Sequence, residues 1–149
     1  MTWKILQGDV LDRLRDIPDE SVQCCVTSPP YWSLRDYGVA GQIGMENTPD
    51  EHVAKLVEVF REVRRVLRDD GILWLNYGDA YAAAPKGGQG PTGQLADRTA
   101  AKNGVRESRG AGVPRGLKPK DLIGLPWMLA FALRADGWWL RSDCIWHKP

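Results

Sequence analysis

The chain has 149 residues, 43% of them hydrophobic and 26% charged, and its 20 basic and 19 acidic side chains leave a formal charge of +1. That length supports one domain burying roughly 70% of its unfolded surface, and a charge so near zero points to no class of partner by itself. The N-terminus Met1-Thr2-Trp3-Lys4 has no apolar signal core and no apolar run approaches the roughly 18 residues of a membrane span, so a soluble, cytoplasmic chain is expected.

In chain order, Trp3 to Leu6 reads as a short strand ended by Gly8-Asp9, and Val10, Leu11 and Leu14 give a helical turn closed by Pro18, with Asp9 placed to cap it. A strand follows at Val22 to Val26. It contains Cys24 and Cys25, which with Cys144 show no metal-ligand spacing; neighbours in a strand point to opposite faces, so neither a metal site nor a disulfide is expected. Gly38 to Asn47, with three glycines and no periodicity, is a loop.

Thr48-Pro49-Asp50-Glu51 is a helix start: Thr48 as N-cap, Pro49 at the first helical position, and Glu51 completing a capping box. Val53, Leu56, Val57, Phe60, Val63 and Leu67 then recur at three- and four-residue steps between charged residues, the pattern of an amphipathic helix covering a sheet. Asp69-Asp70-Gly71 is expected to stop that helix, and Ile72 to Asn76 is an apolar run of strand length. Strand, helix and strand make a βαβ unit with a parallel sheet, so the class is α/β.

From Pro85 to Lys120 the apolar pattern vanishes, which implies a loop far beyond the usual limit of about 12–15 residues. Eight basic residues (Lys86, Arg98, Lys102, Arg106, Arg109, Arg115, Lys118, Lys120) against two acidic ones give this stretch a net charge of +6. Asp121 to Ala135 returns to helix, with Pro126 marking either a kink or the true start, and Trp127, Phe131 and Leu133 read as core. Asp136-Gly137 closes it, and Trp138 to Trp146 alternates enough for a strand or hairpin. Seven tryptophans exceed what core filling asks for.

The chemistry gathers at Thr27-Ser28-Pro29-Pro30-Tyr31-Trp32, where the chain leaves a strand at its carboxyl end, the edge on which open parallel sheets bind ligands. Gly8-Asp9 and Tyr77-Gly78-Asp79 are exits of the same kind. Two prolines fix successive φ angles near −65° and aim the carbonyls of Ser28 and Pro29, while Tyr31 and Trp32 offer rings on which a planar heterocycle can stack, an interaction worth roughly 1–3 kcal/mol per base. Acceptors beside a stacking ring suit an exocyclic amine of a nucleobase.

Ser28-Pro29-Pro30-Tyr31 resembles the catalytic motif of the DNA amino-methyltransferases, which methylate cytosine N4 or adenine N6 with S-adenosylmethionine. Gly8-Asp9, the strand ending Asn76-Tyr77-Gly78-Asp79, Lys120 to Trp127 and Asp136 to Pro149 follow that family's order in its permuted form, catalytic half first. The resemblance implies a partial Rossmann-like methyltransferase fold over residues 1–149, a mostly parallel sheet with flanking helices and a long basic loop at about 85–120. It also implies that Ser28 and the Pro29 carbonyl hold the target amine while Tyr31 stacks on the flipped base, with Pro30 part of the same catalytic motif, and that Gly8, Asp9 and Thr27 contact the cofactor. Trp32, Tyr77 and Asp79 would line the site.

Double-stranded DNA is the implied partner, its backbone met by Lys86, Arg98, Lys102, Arg106, Arg109, Arg115 and Lys118. Serine in the first motif position favours N4-cytosine, with N6-adenine as the alternative. Among the three cysteines none follows a proline, which disfavours C5-cytosine chemistry. The family's Gly-rich Phe-x-Gly-x-Gly turn for the cofactor has no counterpart here. The chain is therefore expected to be an N-terminal part that needs a C-terminal half, inactive alone, or else a catalytically inactive relative that only binds nucleic acid.

Overall fold

The computed structural model describes residues 3–82, 113–114 and 116–147, and its elements run α1 (Val10–Arg15), β1 (Val22–Thr27), α2 (Pro49–Val66), β2 (Leu67–Leu75) and α3 (Leu125–Ala135). The class is α/β: β1 and β2 pair in parallel across the α2 crossover. The helix start at Thr48 forms as its residues dictate. Thr48 Oγ1 accepts the Glu51 N–H at 3.2 Å, and the Glu51 carboxylate accepts the N–H groups of Thr48 and Asn47 at 3.3 and 3.0 Å, so the cap residue and the third helical residue both have their N–H groups met.

α2 supplies most of the core. Val53, Leu56, Val57, Phe60 and Val63 are buried against Leu125, Leu129 and Leu133 of α3, with Cys25, Leu73 and Leu75 of the sheet packed on the same cluster. Arg65, on the α1 side of the helix, donates to the carbonyls of Leu14 and Ile17 and pairs with Asp19 and Glu62, which ties the end of α1 to α2. At the other end of the chain Arg61 pairs with Asp136, the residue that caps α3.

Alternation along the strands sends Cys25, Leu73 and Leu75 to the core and Val26, Ile72 and Trp74 to the opposite face. That second face is open: Val26 is 77% exposed and Trp74 55%. The sheet is therefore covered on one side only among the described residues, although its strands carry apolar residues on both.

Several expectations are corrected. The helix does not end at Asp69-Asp70-Gly71; Leu67 already turns extended (φ −74°, ψ 142°), and β2 starts there with no intervening turn. The Asp-Asp-Gly chemistry serves instead as a bulge, since Val22 pairs with Leu67 and Cys24 with Ile72, leaving the intervening residues of β2 without opposite numbers. Trp3 to Leu6 and Trp138 to Trp146 form no strand. Their residues have the right propensity, but a strand exists only through a partner edge, and none of the described residues supplies one.

Pro126 stands in the first turn of α3, so the helix starts there instead of kinking. On that helix only Leu133 of the three residues expected in the core is buried; Trp127 and Phe131 pack on one another at 6.4 Å between ring centroids and stay more than half exposed. They occupy the face of α3 turned away from α2. Of the basic stretch, only Lys118 among the seven residues expected on the DNA backbone lies within the described residues, where it is exposed. No helix among the described residues is long and apolar enough to cross a membrane.

The bulge depends on Gly71. A Cβ there would stand 2.8 Å from the Arg68 carbonyl oxygen and 3.2 Å from that of Gln23, backbone atoms that cannot swing aside. Gly71→Ala should therefore cost about 1–3 kcal/mol, read as a lower urea midpoint at unchanged slope; an unchanged midpoint would mean that the bulge is not held in this register.

Candidate active site

The turn begins where the sheet ends. The Thr27 carbonyl accepts the Asn76 N–H at 2.9 Å, so the two strand exits leave side by side. Ser28 to Tyr31, with Leu34, Arg35 and Tyr37, line an open cleft of about 350 Å³, within the range of small-ligand sites. Ser28 Oγ donates to the Tyr31 hydroxyl at 3.2 Å, which brings the hydroxyl of the first motif residue and the ring of the last together across the prolines.

The Tyr31 ring is held from two sides. Tyr77 meets it edge to face, with centroids 5.0 Å apart and planes at 71°. Gly78 approaches so closely that a Cβ on it would stand 2.9 Å from Tyr31 Cε2, so the backbone after β2 can pass this ring only as glycine. Tyr77, one of the residues expected to line the site, and the neighbouring Gly78 thus lie beside the Ser28 to Tyr31 turn.

Behind Tyr77 sits a polar cluster. The Tyr77 hydroxyl is 2.7 Å from His52 Nε2, and His52 Nδ1 is 2.7 Å from Glu46 Oε2, which also accepts the Gly44 N–H at 2.9 Å. His52 is fully buried in the first turns of α2. Burial pushes its pKa below the ordinary histidine value, with the Glu46 carboxylate opposing, and burial likewise pushes the Tyr77 phenol far above its ordinary range. Sequence reasoning missed Glu46 and His52. A signal existed for His52, which lies four residues before Leu56 on the buried stripe, but none for Glu46 in its loop. Leu34, Arg35 and Tyr37 of the cleft were missed too, although Ser33-Leu34-Arg35-Asp36-Tyr37 follows the motif directly.

Two expected site-lining residues are corrected. Trp32 is 4% exposed and belongs to the core, its indole N–H donating to the Glu46 carbonyl at 2.9 Å, so it supports the turn from beneath and offers no stacking face. Asp79 is taken up by α3: its carboxylate accepts from Gly124 N and Leu125 N at 3.0 Å and from Ala80 N at 2.8 Å. Gly124, at the N-cap, has no side chain to do this, so Asp79 caps the helix from 45 residues away, and its charge suits the positive helix end.

Gly8, Asp9 and Thr27 line neither this cleft nor the neighbouring one of about 450 Å³ between Asp36 and Lys55. Asp9 Oδ1 is engaged in capping α1, accepting from Leu11 N at 2.9 Å and Asp12 N at 3.4 Å. One free carboxylate oxygen and no enclosing wall do not by themselves fit a group as large as a nucleoside cofactor. Among the described residues no group of three or more His, Cys, Asp or Glu could hold a metal ion.

Comparison with known proteins gives the family. A family model described as DNA methylase matches residues 22–149. The chain is 51% identical over 145 residues to the Type II methyltransferase M.Cfr9I of Citrobacter freundii, covering 97% of this chain and 46% of the relative. It is 50% identical over 146 residues to the Type II methyltransferase M.SmaI of Serratia marcescens, covering 98% and 48%, and 43% identical over 144 residues to M.SfiI of Streptomyces fimbriatus, covering 95% and 29%. The chain thus spans about half, or less, of the length of these curated relatives. With β1, the turn that leaves it, α2 and β2 all inside the family match, the chain belongs to the DNA methylase family.

Proposed function

We propose that this chain is the base-holding part of a DNA methyltransferase that methylates an exocyclic amine, with cytosine N4 as the favoured target. The observation that carries the reading is the Ser28 to Tyr31 turn: a polar hydroxyl, a stiff pair of prolines and an aromatic ring that together line an open cleft at the carboxyl end of a parallel strand. An amine conjugated with its ring is a weak nucleophile. Ser28 and the Pro29 carbonyl accept its hydrogens, which draws the nitrogen toward a tetrahedral shape and frees its lone pair, while Tyr31 stacks on the extruded base, and Pro30 keeps the turn rigid.

S-adenosylmethionine supplies the electrophilic methyl group in this reading. Gly8, Asp9 and Thr27 would contribute only part of its contacts, and the remaining walls come from protein beyond these 149 residues, working in the cytoplasm as one catalytic unit with them. Two facts support that partner: the relatives are about twice as long, and one face of the sheet, with Val26, Ile72 and Trp74, is apolar and uncovered. Packing on that face would complete a sheet covered on both sides.

Double-stranded DNA is the substrate, and the basic stretch from Lys86 to Lys118 meets its backbone. Replacing Arg106 and Arg109 by Ala should weaken binding equally on all sequences and flatten the log–log salt dependence by about 0.9 for each phosphate that is no longer neutralised; an unchanged slope in a salt titration would remove this stretch from the interface.

The chain alone should methylate nothing above background. A chimaera in which residues 1–149 replace the matching part of M.Cfr9I should methylate DNA, lose at least about 100-fold in rate with Ser28→Ala or Tyr31→Ala, and yield N4-methylcytosine on nucleoside mass spectrometry. N6-methyladenine would reassign the base, and full activity in Ser28→Ala would remove the turn from the chemistry.

A further inference from the structure

Glu46, His52 and Tyr77 form a chain of groups that the proposed chemistry does not use directly. Glu46 Oε2 already accepts the Gly44 N–H, and a carboxylate has no hydrogen to give, so the His52 nitrogen facing it, Nδ1, carries the ring proton. In the neutral imidazole Nε2 is then an acceptor, and the Tyr77 hydroxyl donates to it at 2.7 Å. One tautomer satisfies every group.

The loop holding Glu46 is itself fastened to the turn. Its carbonyl takes the Trp32 indole N–H, and the Gly44 carbonyl takes the Ser33 N–H at 2.7 Å. From there the constraint passes outward: Tyr77 fixed by its hydroxyl, its ring edge to face on Tyr31, and the Tyr31 hydroxyl at Ser28 Oγ. We infer that Glu46 and His52 are positioning residues which, through the Tyr77 hydroxyl, set the plane in which Tyr31 receives the target base. This inference rests on the base-holding role proposed above for Tyr31.

The groups facing this chain are few. Glu46 faces His52 from the loop and Tyr77 faces it from the exit of β2; the Trp32 backbone N–H, Glu46, Tyr31 and Asp79 act on Tyr77, and Lys55, one turn along α2, feels Glu46. Burial keeps the His52 imidazole neutral to lower pH than an ordinary histidine. Once protonated, both ring nitrogens donate, and Tyr77 must turn its hydroxyl to accept. Turnover should therefore fall on the acid side, below the ordinary histidine range, and folded-state stability should fall in the same direction, because the unfolded chain binds the proton more readily.

The test uses the M.Cfr9I chimaera. Tyr77→Phe keeps the ring and removes only the hydroxyl; Glu46→Ala removes the acceptor, and Glu46→Gln restores one, its amide oxygen able to take both Gly44 N–H and Nδ1–H. Tyr77→Phe and Glu46→Ala should lower kcat about 10- to 100-fold with KM for DNA within about twofold, and Glu46→Gln should recover most of the loss. The acid limb of kcat should disappear in Tyr77→Phe. Nitrogen NMR of the labelled histidines, assigned by His52→Gln, should show a single tautomer with bare Nε2, scrambled in Glu46→Ala. That measurement needs no turnover.

Unchanged kcat in Tyr77→Phe and Glu46→Ala, while Ser28→Ala abolishes activity, overturns the positioning role and leaves the site reading standing. So does a bare Nδ1 in the parent protein, or a loss shared by kcat, KM and melting temperature that Glu46→Gln does not recover. Full turnover in Ser28→Ala overturns the site reading, and with it this one.

Discussion

A fully buried imidazole has two nitrogens to satisfy, and leaving either without a partner costs about 1–3 kcal/mol. His52 meets that demand with a carboxylate from the loop before α2 and a phenol from the exit of β2. The loop before α2, the start of α2 and the exit of β2 are thereby pinned at one point, behind the Tyr77 ring that meets Tyr31 edge to face. The capping box one turn earlier serves the same end: it fixes where α2 begins, and so where on the helix His52 falls. Move the start of that helix by one residue and the imidazole would rotate by about 100° off the buried stripe.

What the sequence made legible was local or strongly periodic. The helix start at Thr48-Pro49-Asp50-Glu51, the apolar stripe to Val63 and the strand before the two prolines all follow from residues within one turn or one strand of each other. The partners of His52 do not: Glu46 and Tyr77 stand 6 and 25 residues away, and although the strand exit marks Tyr77 as a site residue, nothing marks either as a partner of His52. Asp79 shows the same limit more sharply: its turn-forming position was readable, but the helix it caps begins 45 residues later. A tertiary contact of that span has no signature in a single sequence.

Pairing was the other blind spot. Trp3 to Leu6 and Trp138 to Trp146 carry strand composition yet form no ladder, because composition describes a residue's fit to a pleated surface and not the presence of a neighbouring edge. Trp32 went astray for a related reason. Beside Tyr31 it looked like a second stacking surface, but the chain turns between them, and adjacent side chains part company: one ring to the cleft, the other into the core with its N–H spoken for.

The site gains from that division of labour. The prolines set the backbone of the turn before any base arrives, and Trp32 anchors it from below. Tyr31 keeps some exposure yet has little freedom, with Tyr77 on its flank and the Gly78 backbone in close approach. Ordering a loose aromatic side chain on binding costs about 0.5–1.5 kcal/mol, and here most of that ordering is already complete in the folded chain. Under the proposed function, the free energy of stacking is then left for the extruded base, whose unpairing has its own cost of a few kcal/mol. A rigid strand exit with one ring buried and one ring held open is therefore the arrangement that the proposed base extrusion would favour, and two consecutive prolines are a short way to encode it.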